Sequence, residues 1–209
     1  MTHKRKKGGC GPMPVEPCCQ PEQDDLNTYQ DIVDRYIKVW HRHASKRAEY
    51  YADVASLEAA VERAVMSATS DGKRHPHQYK IRKGRLPEAR DKLLSAIPDL
   101  ANCQSFAELF KLVEQEIGPI HGIGELVVYD VSTRIGYYLN LYPQEVYLHC
   151  GTREGANALG LGHGRVTIAI EELPAPFHQL TADELEDCLC IYKEALKRIA
   201  RKSRAASIN

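Results

Sequence analysis

Gly122 and Gly124, separated by Ile123, are the residues of this 209-residue chain whose types and spacing point most directly to chemistry. Glycine lacks a Cβ, so both positions tolerate a tight turn with positive φ and leave backbone N–H groups bare. An apolar stretch precedes them (Leu109, Phe110, Leu112, Val113) and another follows, to Leu139. The spacing predicts a helix on each side, the first over about 105–116. A helix that opens directly after such a turn presents orphan N–H groups and the positive end of its dipole, which favour an anion. The unit therefore suits a grip on one DNA phosphate without base readout, through Gly122, Ile123 and Gly124. It is equally the pattern of an ordinary inter-helix turn around a buried Ile123.

Asp130, His149, His75 and His77 are the candidate catalytic groups. The stretch Arg74-His75-Pro76-His77-Gln78-Tyr79 sets two imidazoles at i, i+2 in a proline-containing loop. They can face one side of an extended segment, as acid–base groups or metal ligands. With His121, His149, Cys150 and Asp130 they form a site if the fold gathers these segments. Each histidine is equally well read as a surface or hydrogen-bonded structural residue. Asp130 and Arg134 stand four apart on one helix, spaced to pair with each other. The alternative has Asp130 pointing into a cleft and Arg134 meeting phosphate. Gly151-Thr152-Arg153 combines a flexible residue, a hydroxyl donor and a guanidinium, which suits a phosphate contact. Thr152 would serve as well as the cap of a following helix. Cys188 and Cys190 lie two apart on one helix and read as core thiols.

The formal net charge is zero, from 28 Lys+Arg and 28 Asp+Glu, but the charges are segregated. Lys73 to Lys92 holds eight basic residues, including Lys73, Arg74, Arg82 and Lys83, against Glu88 and Asp91. Lys193 to Arg204 holds six against Glu194. Local basic stretches of this kind attract a polyanion whatever the total charge, and they also occur as solvated helix faces.

These groups need a scaffold, and the pattern of the chain predicts one that is all-α, a compact multi-helix domain with seven to nine helices. Residues 1–23, with their glycines, prolines, Cys10, Cys18 and Cys19, are expected to form a disordered head. The cysteine spacing there matches no zinc pattern. A first helix is expected from about Asn27 to Tyr51, and a second from a Ser56 cap. A polar loop follows over 71–85, then a helix with Pro87 in its first turn. Ser105 and Thr181 open capping boxes, the latter starting a final helix to about Lys202. A single domain is expected over 24–204, with the glycine turn and its helices at about 105–140 and a tail at 205–209. No apolar run approaches the 18 residues of a membrane span, and the basic start of the chain, with no apolar stretch behind it, is not expected to be a secretory signal. The chain is expected to be cytoplasmic, nucleoid-associated if it binds DNA, with its cysteines reduced. No cofactor and no metal centre are expected.

Ile120-His-Gly-Ile-Gly-Glu-Leu-Val-Val128 resembles the hairpin of the helix-hairpin-helix DNA glycosylase superfamily, which reads roughly L-P-G-[IV]-G-x-[KQ]-T-A. Leu148 to Leu161 falls about where that family carries its catalytic Asp segment and the next helix. The likeness covers roughly residues 105–161. It implies a glycosylase-like all-α fold, phosphate-backbone contacts to DNA, and a role in DNA repair or damage recognition. Leu126 stands in the place of the lysine nucleophile of lyase-active members, His149 or Cys150 in the place of the catalytic Asp, and no four-cysteine cluster motif follows. Asp130 is then the nearest alternative, acting from inside the second helix of the hairpin.

Three functions remain open. The first is DNA binding. The second is an enzyme on nucleic acid, either an atypical glycosylase or a histidine- or metal-dependent nuclease. The third is an interaction protein that does not touch DNA. The head could serve DNA or a protein partner, and the oligomeric state is open.

Overall fold

Helix starts in this chain are written locally. Thr28 Oγ1 accepts the N–H of Asp31 at 3.1 Å while the Asp31 carboxylate accepts the Thr28 N–H at 2.8 Å, and this reciprocal cap opens α1 (Tyr29–Val39). The computed structural model describes residues 23–66, 81 and 84–206. Lys73, Arg74, His75, His77, Arg82 and Lys83 lie outside the described residues.

The helix expected over 27–51 is two helices. α2 (His41–Ala52) starts afresh at Trp40, whose φ of −108° and ψ of −29° close α1 and open α2. The reason is burial in two directions. α1 buries Ile32, Val33 and Tyr36 in one core cluster, while α2 packs on the chain's central helix. One straight rod cannot serve both. Ser56 Oγ caps α3 (Leu57–Met66), and α4 (Arg85–Ser95) carries Pro87 in its first turn. The short α5 (Ile97–Asn102) leads to Ser105, whose hydroxyl accepts the Glu108 N–H and opens α6 (Phe106–Ile117). α7 (Glu125–Leu139) buries nearly everything from Val127 to Tyr137. It packs on α2, α3 and α6, and is that central helix.

After α7 come β1 (Glu145–Tyr147), α8 (Cys150–Ala158) and β2 (Thr167–Ala169). The strands pair antiparallel with Val146 opposite Ile168. β2 lies within the alternating run Val166-Thr167-Ile168-Ala169-Ile170, a strand signal that the expectation of an all-helical chain passed over, and β1 supplies its partner. Two 3-10 turns follow, at Ile170–Glu172 and Ala175–Gln179. The expected last helix is again two, α9 (Ala182–Ile191) and α10 (Lys193–Ala206), broken at the fully buried Tyr192. Ten α-helices and one two-stranded ribbon are thus present among the described residues. The chain is mostly helical, as expected, with more and shorter helices. None of the described helices is long and apolar enough to cross a membrane.

Two core clusters form. One joins Leu26 and α1 to the strands, α8, α9 and α10. The other joins α3, α4, α6 and α7. The C-terminal cations are consumed in holding the first together. Lys193 and Lys197 meet Glu154, at 3.3 and 2.9 Å. Arg198 donates to the carbonyls of Gln23 and Leu26, and Lys202 to the side chain of Asn27.

Candidate functional site

The glycine turn is built as its residue types require. Gly118 ends α6, Ile120 and Ile123 are buried, and the Ile123 N–H donates to the Ile120 carbonyl at 2.9 Å. Gly122 has φ +96°, the left-handed region that glycine occupies without steric cost. Gly124 is the N-cap of α7, in extended conformation. A Cβ at Gly122 or Gly124 would meet nothing within 4 Å, so both face open space. Glu125 follows in the first turn, and Arg153 Nη2 reaches its carboxylate at 3.2 Å.

From this turn α7 runs along a cavity of about 80 Å³. A single water needs roughly 10–15 Å³ on such a measure, so a small ring system or several waters fit. Leu126, Asp130, Thr133 and Tyr137 line it from α7, at the i, i+4, i+7 and i+11 spacing of one helix stripe. Asp183, Glu186, Asp187 and Cys190 line it from α9 by the same periodicity. His149, Cys150 and Gly151 line it from the start of α8, and Arg47 from α2.

The polar groups divide into neutralised pairs and groups held in unusual states. Asp130 accepts from Arg134 Nη2 at 3.1 Å. Arg134 also donates to the Ala64 carbonyl at 3.1 Å and lies over the Tyr51 ring. Arg47 meets Asp187 at 2.7 Å, which raises its affinity for its proton further. Tyr137 donates to Asp183 at 3.1 Å. Glu186 differs. Its Oε1 accepts from Thr152 Oγ1 at 2.5 Å and lies 3.2 Å from His149 Nε2. The latter is an electrostatic contact rather than an aligned hydrogen bond. Burial, with Asp187 and Asp130 adding repulsion, pushes the Glu186 carboxyl well above the usual carboxylate range. Burial likewise raises the Tyr129 phenol. Tyr129 Oη and Thr133 Oγ1 are buried with no hydrogen-bond partner among the described residues. A buried hydroxyl without a partner is costly, roughly 1–3 kcal/mol, so two along one cavity invite a ligand or water.

Asp130, Arg134, His149, Cys150, Gly151 and Cys190, all singled out by sequence, meet here. The phosphate contacts expected of Arg134 and Thr152 are corrected by their burial. Arg134 is 5% exposed and saturated by Asp130, Ala64 and Tyr51, while the fully buried Thr152 spends its hydroxyl on Glu186. Nor is Thr152 a cap; His149 holds the N-cap position. Arg153 ties loops together, donating to the carbonyls of Arg165 and Leu148. Gly122, Ile123 and Gly124 sit beyond the N-terminal end of the cavity-lining stripe. Cys188 is a core thiol, as expected, but Cys190 faces the cavity.

Sequence reasoning missed Glu186, Asp187, Asp183, Arg47, Tyr129 and Thr133. The signal was present in the acids of α9, which recur at helical spacing, but a solvated face has the same spacing. Among the described residues no group of three or more His, Cys, Asp or Glu is arranged to hold a metal ion. No family model, curated protein or solved structure matches this chain.

Proposed function

We propose that this protein binds duplex DNA as a helix-hairpin-helix protein of glycosylase-like architecture, with α6, the Gly122–Gly124 turn and α7 as the hairpin, and serves in DNA repair or damage recognition. One observation carries the reading: α7 begins at the open glycine turn and lines the cavity with the same helix. A phosphate held by the first N–H groups of α7 lies about 9 Å along the helix axis from Asp130, at 1.5 Å per residue. A nucleotide swung out of the stack next to that phosphate is within reach of the cavity. The Tyr129 and Thr133 hydroxyls then find partners on its base. Glu125 opposes the phosphate, and Arg153 offsets part of its charge.

A salt titration of labelled duplex and single-stranded DNA, with damaged bases included, tests this. Affinity should fall steeply as salt rises. Gly124→Leu is the diagnostic variant, because a side chain at Gly124 meets no protein atom within 4 Å of its Cβ and projects where the phosphate would lie. Weaker binding to all sequences with unchanged Tm is the expected result. Unchanged affinity overturns the hairpin grip, and no binding by the native chain leaves an interaction protein.

The second reading, an enzyme on nucleic acid, is favoured by Asp130 and Glu186 on opposite walls of the cavity. Asp130 pairs with the Arg134 guanidinium at 3.1 Å, and burial raises the Glu186 carboxyl, so the first suits stabilising positive charge on a sugar and the second suits donating a proton. This pair belongs to hydrolysis of an N-glycosidic bond. Base loss that vanishes in Asp130→Asn while affinity persists would select it, and His149→Ala tests the adjoining imidazole. The nuclease version rests on His75 and His77, outside the described residues.

A further inference from the structure

Cys150 and Cys190 belong to different helices and line the same cavity. A Cβ built on Gly151 would meet Cys190 Sγ well inside van der Waals distance, so the sulfur lies against the backbone of the residue after Cys150. Gly151 is the residue that lets it. Cys150 is exposed and stands at the first position of α8, with φ +33°. Lys193 Nζ lies 3.6 Å from the same Gly151 Cβ position and adds a positive charge. Cys190 is the less exposed of the two. The asymmetry gives the two sulfurs different roles, an exposed attacking thiol and a recessed resolving one.

We propose that Cys150 and Cys190 are a redox modification site that closes to a disulfide across Gly151, with a low-molecular-weight disulfide as the oxidant. The Cys150 thiolate attacks one sulfur of the oxidant, forming a mixed disulfide and releasing one small thiol. Cys190, losing its proton, then attacks the Cys150 sulfur and expels the second small thiol. Two protein thiols are oxidised and one disulfide is reduced to two thiols, so electrons and protons balance. The product ties the start of α8 to the end of α9 at the cavity. The site is independent of what the cavity binds.

The test uses the full chain, oxidised glutathione, alkylation of remaining thiols and peptide mass mapping. Mapping by peptide keeps Cys10, Cys18, Cys19 and Cys103 separate, and fragmentation of the peptide that carries both Cys188 and Cys190 assigns the linked sulfur. The expected product is a Cys150–Cys190 cross-linked peptide that dithiothreitol reverses. In Cys190→Ser a stable glutathione adduct should accumulate on Cys150, because the resolving sulfur is gone. In Cys150→Ser, Cys190 should react far more slowly. A native protein in which both residues remain alkylatable while other cysteines oxidise would overturn the proposal. So would a Cys150 adduct that persists with Cys190 present.

Discussion

Glu186 Oε1 lies 3.2 Å from His149 Nε2, across the cavity between α9 and the start of α8. The contact sets a buried carboxyl beside a buried imidazole, and Thr152 fixes the carboxyl in place. Neither partner is reachable from the other by any local sequence rule. Their meeting places a carboxyl that burial pushes well above its usual range beside the histidine that the sequence singled out.

That perturbation has a pH signature. The folded chain holds a proton on Glu186 above its ordinary value of 4.5, where the unfolded chain releases it. Stability from this group is therefore present at low pH and is lost as pH rises through the folded value. Glu186→Gln keeps the shape and removes the titration. Its Tm relative to the native chain should rise as pH increases from about 4 to about 8. A constant difference across that range would show that Glu186 ionises normally.

Asp130 and Arg134 test the other half of the site. Arg134→Ala leaves Asp130 without its partner and vacates the space over Tyr51. A loss of roughly 3 kcal/mol in denaturant unfolding is expected, since breaking a largely buried pair costs about 3–5 kcal/mol. Arg134→Lys should recover little, because one ammonium cannot serve both Asp130 and the Ala64 carbonyl in that geometry.

Tyr129→Phe should be neutral or slightly stabilising, because it removes a buried hydroxyl that has no partner among the described residues. Thr133→Val should behave alike. Nucleotide or damaged-duplex affinity should fall in both while Tm holds. Unaltered affinity would show that the cavity is not where the ligand sits.

Two glycines of α8 separate side-chain from backbone crowding. Gly151→Ala should cost about 1–3 kcal/mol by overpacking against Cys190 Sγ, and Cys190→Ala should restore most of it. Gly155→Ala should cost more and resist rescue, because its Cβ would meet the Leu189 carbonyl oxygen and force α8 and α9 apart. Equal losses, or rescue of both by Cys190→Ala, would contradict the packing described.

What the sequence by itself determined are features written within one turn of backbone. Thr28 and Ser105 start helices because a side chain and an N–H three residues on are close enough to bond, and at Thr181 the Glu184 carboxylate reaches back to the Thr181 N–H. Gly122 is a turn residue because its φ of +96° suits no Cβ. The pairing of Asp130 with Arg134 followed from helical pitch alone. Tertiary structure decided the rest. Trp40 breaks a helix because the segments on either side bury against different partners, whereas α9 and α10, on the two sides of Tyr192, both pack on α8. Arg134 turns inward because Ala64, 70 residues away, offers a carbonyl, and Thr152 does so because Glu186 receives its hydroxyl. Cys190 faces a cavity instead of the core because Gly151 leaves room for its sulfur. Periodicity marks which residues share a face, whereas only the packing of distant segments determines whether that face meets solvent, apolar core or a cavity.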